Sequence, residues 1–234
     1  MKKDPSTPEK WFLIETGKGE PCFNMAFDEA LIHQSVDFPR PVLRFYGWDR
    51  KVSSFGYFQS YSEIRQKLPE EDLVRRPTAG GVVRHHQDWT YTLVFPREHW
   101  WYRNKAEDSY RMLHEWVQAA MQQLGLPTSL ASSSNSPRPG HCFPGAQKHD
   151  LTRNGVKLAG AAQRRHRDGL LIQASIQNTP QTVQRKQWET TMLEVATRVW
   201  NVEWCPLKVN SELRNRTAEL MDAKYSTPGF LENR

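Results

Sequence analysis

The segment 75–85, RRPTAGGVVRH, places two arginines directly before a turn of small residues and a β-branched pair. The backbone N–H groups of Gly80 and Gly81 can approach a ligand closely and bind an anion or a carbonyl oxygen. Because side chains alternate along a strand, only one of Arg75 and Arg76 can face such a ligand. An ordinary hairpin turn with two surface arginines is the competing interpretation.

Lys157 and Cys142 are the candidates for reactive chemistry. Lys157 lies between apolar residues and ahead of small ones in the segment 155–163, GVKLAGAAQ, which predicts a strand lysine beside a ligand or a close backbone. Cys142 lies in GHCFP, and a loop cysteine near cationic groups is the setting of a nucleophilic thiolate. A solvent-facing lysine and an inert thiol are the alternatives. Cys22 and Cys205 are expected to be inert, small hydrophobic residues.

Metal and disulfide chemistry find little support in the sequence. The three cysteines are an odd number without CxxC spacing, so neither a disulfide framework nor a zinc knuckle is indicated. His85 and His86 form at most half of a metal site, because no third ligand follows at a recognisable spacing. We therefore expect no metal.

Composition restricts the partners. The 234 residues include 32 Lys+Arg and 26 Asp+Glu, a net charge of +6 that favours acidic partners. The basic residues form no long run interleaved with aromatic ones, which argues against nucleic acid. The N-terminus lacks an apolar segment and no stretch reaches the ~18 apolar residues of a membrane span, so we expect a cytoplasmic protein without membrane contact.

Hydrophobic periodicity predicts an α+β protein, because its strands are grouped rather than alternating regularly with helices. No βαβ glycine fingerprint or Walker sequence is present. Asn24 is expected to cap the first helix, residues 17–19 to form a turn, and Gly125 to end the longest helix. Strands are predicted at 11–14, 42–46, 52–57, 89–95, 156–160 and 169–176, helices at 24–32, 62–67, 106–124, 184–199 and 211–224, and a mobile loop at 131–140.

Five segments in order along the chain carry a family resemblance. They are NMAFDEA (24–30), LRFYGW (43–48), GYFQ (56–59), RRPTAGGVVRH (75–85) with TYT (90–92), and KLAGAAQ (157–163). Together they resemble the lipoate–protein ligase and octanoyltransferase superfamily, whose catalytic domain is similar to that of biotin protein ligase. The resemblance implies one catalytic domain over 1–234, with the first ten residues as a disordered tail. It also implies a class II synthetase-like fold, a mixed, largely antiparallel sheet flanked by helices.

The position of Cys142 and Phe143 ahead of the lysine motif resembles the cysteine-dependent octanoyltransferases. That resemblance implies transfer of an octanoyl or lipoyl group from acyl carrier protein, through a Cys142 thioester, to a lysine of a lipoyl domain or glycine cleavage H protein. Lys157 would hold the acyl carbonyl, no cofactor would be needed, and aromatic-rich strands would line an apolar tunnel. The implied substrate-binding residues are Tyr46, Arg75, Arg76, Thr78, Ala79, Gly80, Gly81, His85, Gly160 and Ala161.

Two alternatives stay open. One is an ATP-dependent lipoate ligase, which would use ATP and Mg²⁺ and bind the acyl-adenylate phosphate at RRPTAGG. Such ligases usually carry a Gly-Arg-Asn-Asp type segment where this chain has CFPGAQKHDL. The other is a non-catalytic relative that binds an acyl group or a partner protein. Ala79 in place of the family's first glycine, and Gln173-Ala174 in place of His-Gly, are departures that would change the shape of the pocket.

Overall fold

The computed structural model describes residues 7–37, 39–134, 145–179 and 181–232. The strands are β1 (Glu9–Gly19), β2 (Val42–Trp48), β3 (Val52–Phe55), β4 (Leu73–Arg75), β5 (Val83–His85), β6 (Trp89–Pro96), β7 (Ser129–Leu130), β8 (Leu151–Arg153), β9 (Val156–His166), β10 (Gly169–Ile176) and β11 (Val202–Pro206). The helices are α1 (Pro21–Gln34), α2 (Tyr61–Lys67), α3 (Trp100–Arg103), α4 (Ala106–Gln123), α5 (Arg185–Trp200), α6 (Ser211–Leu220) and α7 (Pro228–Glu232), with a π-helical turn at Met221–Tyr225.

Eight strands form one mixed sheet in the order β11-β1-β2-β6-β10-β9-β8-β7. The strands β11, β1 and β2 run parallel to their neighbours in this group, and every pairing from β2 to β7 is antiparallel. A second sheet of three short strands, in the order β4-β3-β5, carries both ends of the segment 75–85. The predicted α+β class with a mixed, largely antiparallel sheet is confirmed.

The central strands are buried on both faces, because helices cover the large sheet from two sides. In β10, Leu170 and Ile172 pack in the core with α4 and α5, while Leu171 packs on the opposite side with α1 and α6. The alternation of side chains along a strand produces this division. The strand GLLIQASI therefore begins with consecutive apolar residues, Leu170 to Ile172, instead of alternating apolar and polar ones. Such a pattern is typical of a strand that is covered on both faces.

The sequence predictions place the end of β1 and the start of α1 incorrectly. Residues 17–19 lie within β1 at an irregularity in its pairing with β2, where Gly17 has φ +66, and not in a turn. Asn24 is not the cap, because α1 begins at Pro21 and the Glu20 side chain accepts from the backbone of Phe23. Asn24 lies within α1 and is buried, and its side-chain amide donates hydrogen bonds to the carbonyl oxygens of Gly19 and Gly47.

Other boundaries follow from tertiary contacts. β9 continues to His166 because it pairs with β10 along its length, and α6 stops at Leu220 where the π-helical turn begins. Residues 1–6 and 135–140 lie outside the described residues, but Glu9 and Lys10 belong to β1, so the predicted tail is too long. Within the described part of the chain, no helix has the length and apolar character to cross a membrane.

Candidate active site

A cavity of about 70 Å³ lies between the small sheet and the strands β9 and β10. It brings together most of the residues that the sequence nominated: Tyr46, Arg76, Gly80, Gly81, His85, Lys157, Gly160 and Ala161. Met25, Ser54, Gln173 and Ser175 also line it. With Thr90 of β6, residues from six strands and from α1 therefore meet at one place, as a binding site requires.

The two arginines of RRPTAGG lie on opposite sides of the loop. The Arg75 guanidinium donates to the carbonyl oxygens of Tyr57, Gln59 and Leu231, so it fastens α7 to the small sheet and does not line the cavity. Arg76 faces the cavity, where burial lowers the pKa of its guanidinium to about 10. The interpretation as two surface arginines is wrong, because their exposures are 1% and 5%.

Arg76 is held by a chain of hydrogen bonds. Its guanidinium donates to Ser54 Oγ at 2.7 Å, and Ser54 Oγ lies 2.6 Å from Nε2 of His85. On the other side of the ring, Nδ1 of His85 lies 2.8 Å from Oδ2 of Asp88, so the Ser54 hydroxyl and the Asp88 carboxylate hold the imidazole between them. Both His85 ring nitrogens are thus engaged, which argues against a metal at His85.

Asp88 ends this chain as an anion. Burial opposes its ionisation, but His85 and hydrogen bonds from Ser175 and Thr90 hold the pKa of the Asp88 carboxyl below its usual value. The buried carboxylate therefore fixes the orientation of His85, and through Ser54 that of Arg76.

The glycine turn approaches the neighbouring backbone closely. Gly80 has φ +91, and a Cβ built on Gly56 would lie 2.1 Å from the Gly80 carbonyl oxygen. Thr78, which does not line the cavity, donates its hydroxyl to Gln173 Oε1 at 2.7 Å, and Gln173 Nε2 donates to Asp28 Oδ2 at 2.8 Å. Gln173, one of the departures from the family pattern, is therefore a bridge between the turn and α1.

Lys157 forms an ion pair at the cavity. Its Nζ lies 2.8 Å from Oδ2 of Asp150, a carboxylate with no exposure. The Tyr110 hydroxyl and the backbone N–H of Gln147 donate to the same carboxylate. Burial, followed by the Asp150 charge, raises the pKa of Tyr110 far above its usual value, so Tyr110 stays a donor. The alternative interpretation of Lys157 as a solvent-facing lysine is therefore wrong, because its side chain is 12% exposed and ion-paired.

Sequence reasoning missed Asp150, although a signal was present. Asn154 and Gly155 both have positive φ, the requirement of a two-residue hairpin turn, and Asn-Gly is the strongest sequence signal for one. The hairpin pairs β8 with β9 and places Thr152 opposite Lys157. Reading that turn would have put the acid at the start of β8 next to the lysine.

The structure describes Cys22 but not the predicted nucleophile Cys142. Cys142 lies outside the described residues, and Ala79 is described but does not line the cavity. Cys22 donates its thiol to the Tyr225 carbonyl, and burial followed by the Glu20 charge raises the pKa of the Cys22 thiol to about 11. Such a thiol is protonated at neutral pH, in keeping with the expected inert role.

Gly160 sets the position of the Lys157 side chain. A Cβ at residue 160 would lie 2.7 Å from Cε and 2.8 Å from Nζ of Lys157, both at the flexible end of a side chain. We expect Gly160→Ala to displace the Lys157 ammonium from Asp150. If Lys157 has the catalytic role predicted from the sequence, activity falls at least about tenfold, because a misplacement of about 1 Å can cost about 10²-fold. Initial-rate kinetics and a thermal melt measure the two effects.

Gly47→Ala is the matched control, since the nearest atoms to its Cβ would be in the Lys18 and Arg185 side chains, at the ordinary contact distances of 3.4 and 3.5 Å. It should keep both activity and melting temperature. A Gly160→Ala variant as active as Gly47→Ala would show that the observed lysine position is not the active one.

The fold is that of the catalytic domain of lipoate ligases. Lipoate-protein ligase A bound with ATP superposes with a TM-score of 0.75 at 22% identity, covering 95% of this chain and 98% of that one. The bi-partite lipoate protein ligase from Thermoplasma acidophilum superposes with a TM-score of 0.72 at 21% identity, covering 96% of both chains. At these identities the likeness establishes the fold alone.

The family follows from the sequence match. The lipoyl protein ligase A/B catalytic domain matches residues 20–187, and the chain belongs to this family. Octanoyltransferase LipM from Bacillus subtilis (strain 168) is 35% identical over 185 residues, covering 72% of this chain and 65% of that protein. Octanoyltransferase LipM from Symbiobacterium thermophilum is 36% identical over 182 residues, covering 70% and 63%. The matches thus span just under two-thirds of these relatives.

Proposed function

We propose that this protein transfers an octanoyl group from acyl carrier protein to a lysine of a lipoyl domain or glycine cleavage H protein, through a thioester on Cys142. The observation that carries the proposal is the Lys157–Asp150 ion pair beside the glycine turn at the cavity. The similarity to octanoyltransferases named LipM supports the same reaction.

The reaction balances without an external energy source. The Cys142 thiolate attacks the thioester carbonyl of the donor, and the donor thiol leaves with a proton, so one thioester replaces another. The neutral amine of the acceptor lysine then attacks the acyl-enzyme. An amide forms, the Cys142 thiolate leaves, and the proton of the amine is released. No cofactor is required by either step.

Lys157 supplies the charge that each step needs. A negative charge develops on the acyl oxygen when the carbonyl becomes tetrahedral, and a fixed ammonium stabilises it most in a site shielded from water. Asp150 holds that ammonium in place, and the N–H groups of Gly80 and Gly81 border the same cavity. In the sequence, Cys142 precedes Asp150 by eight residues, and we propose that its thiol acts at this ion pair.

The acyl chain needs more room than the cavity offers as it stands. At 10–15 Å³ for each water, a cavity of 70 Å³ holds about five water molecules. The eight carbons of an octanoyl chain occupy about as much space as eight water molecules, so they do not fit. Met25 is the flexible apolar side chain at the cavity, and a change of its rotamer is the proposed way to admit the chain.

The test is intact-mass spectrometry after incubation with octanoyl-acyl carrier protein and no ATP. We expect a hydroxylamine-labile octanoyl adduct on the wild type and on Cys205→Ser, and none on Cys142→Ala. Product formed from free octanoate only with ATP and Mg²⁺, and retained in Cys142→Ala, would establish the ligase reaction instead. Binding of acyl carrier protein without any turnover would indicate a non-catalytic relative.

A further inference from the structure

A cluster of two histidines and one aspartate lies away from the cavity. His33 is in the last turn of α1, His166 ends β9, and Asp168 lies in the turn that leads to β10. Two separate parts of the chain, α1 and the hairpin of β9 and β10, thus bring three ligand atoms to a common place, within 4.8 Å of one another. None of the three residues lines the cavity or takes part in the proposed transfer.

The distances match the edges of a metal coordination shell. Nδ1 of His33 lies 3.0 Å and Nδ1 of His166 lies 3.1 Å from Oδ2 of Asp168. Zinc–nitrogen and zinc–oxygen bonds of about 2.0–2.2 Å at tetrahedral angles place neighbouring ligand atoms about 3.3 Å apart. Both distances are within a few tenths of an ångström of that value, and the two ring nitrogens lie within 4.8 Å of each other, so side-chain adjustment would let the three atoms surround an ion.

The three side chains are partly exposed, which leaves a fourth coordination position open to water, and neighbouring residues orient His33 and Asp168. The side chains of His33, His166 and Asp168 are 23%, 28% and 15% exposed, so a water molecule can complete the shell. Glu29 lies 3.9 Å from the other ring nitrogen of His33, and a carboxylate there is the usual partner of a metal-bound histidine. Ser35 donates its hydroxyl to the Asp168 backbone carbonyl, which fixes the turn against α1.

Among the described residues, neither Arg167 nor Lys224 binds the oxygen that the two histidines share. Arg167 Nε lies 3.4 Å from Asp168, but on Oδ1, and its side chain is 82% exposed. Lys224 binds Glu29 rather than Asp168. The backbone N–H of Asp168 points at Nδ1 of His166 at 3.4 Å, which favours a lone pair on that nitrogen. That lone pair faces a carboxylate oxygen, and a cation between them would remove the repulsion.

We propose that His33, His166 and Asp168 bind a divalent zinc ion, with water as the fourth ligand. Two imidazoles and one carboxylate are a donor set that suits zinc and its borderline neighbours rather than Mg²⁺ or Ca²⁺. The ion would clamp the end of α1 to the hairpin of β9 and β10, the strands that carry Lys157 and Gln173. Its effect is on the stability of the fold, because an ion that binds only the folded state raises the melting temperature.

The test is titration of the metal-free full-length protein with Zn²⁺ by calorimetry, and with Co²⁺ by visible absorption. We expect one equivalent to bind, an intense tetrahedral Co²⁺ spectrum, and a higher melting temperature in the presence of the ion. His166→Ala should weaken binding at least tenfold and abolish the thermal shift. His86→Ala, which removes an exposed histidine elsewhere, should change neither.

Cys142→Ser separates this site from a thiol site, because His141 and Cys142 are neighbours in sequence. Binding kept in Cys142→Ser and lost in His166→Ala supports the proposal. Binding lost in Cys142→Ser and kept in His166→Ala would overturn it, as would the absence of stoichiometric binding, which would leave a hydrogen-bonded cluster only. No outcome depends on octanoyl transfer.

Discussion

Lys157→Met should lower the rate of octanoyl transfer by about 10²–10³-fold, the usual loss when one stabilising donor is removed from a developing oxyanion. Methionine keeps an unbranched side chain as far as Cε and removes the ammonium group that, in the proposed mechanism, stabilises the acyl oxygen. Initial rates with octanoyl-acyl carrier protein and a lipoyl-domain acceptor measure the effect. Lys148→Met is the control, since Lys148 is an exposed lysine paired with Glu107, and it should keep the wild-type rate.

A second variant separates chemistry from folding. Lys157→Met alone leaves the buried Asp150 carboxylate without its cation, which is itself destabilising. Adding Asp150→Asn removes that charge, so Lys157→Met/Asp150→Asn should regain thermal stability and remain inactive. Recovery of activity in this double variant would show that Lys157 serves the fold and not the reaction.

The second large effect concerns the ion pair of Asp28 and Arg44. Both side chains are fully buried, with Arg44 Nη1 2.7 Å from Asp28 Oδ1. The other oxygen of Asp28 accepts from Tyr46, Thr92 and Gln173. Asp28→Ala would leave a buried guanidinium uncompensated, so we expect a loss of about 3–5 kcal/mol in the free energy of unfolding. Urea denaturation, compared at a constant slope, measures it.

The exposed pair of Arg111 and Glu115 is the matched comparison. Its side chains are 41% and 45% exposed, so Glu115→Ala should cost less than about 1 kcal/mol. A similarly small cost for Asp28→Ala would contradict the prediction, and would mean that water reaches Arg44 in the native state.

How much the sequence predicted differs between kinds of feature. α4 and β10 agree closely with expectation because their periodicity reflects one or two buried faces, which the sequence records directly. β4 and β5 were not predicted, since strands of three residues are stabilised by pairing with β3 and carry no period of their own.

The site residues also fall into those that local sequence indicates and those that only tertiary contacts identify. Lys157 and the glycine turn were found from unusual local sequence, whereas Asp150 and Gln173 owe their places to strand pairing across the chain. Arg75 was nominated with Arg76, and only the tertiary position of α7 distinguishes the two. Local sequence thus predicts which residues are unusual, and the packing of distant segments decides what they contact.

The bridge from Thr78 through Gln173 to Asp28 makes certain mutations interdependent. Residues that share one hydrogen-bond network have non-additive effects, so substitutions at 78, 173 and 28 form an epistatic set. A histidine at 173, the residue of the family pattern that the sequence resembles, would replace the amide that accepts from Thr78 and donates to Asp28, so we expect it to require changes at these two partners. Variation of position 173 alone is therefore expected to cost stability before it changes what the cavity binds.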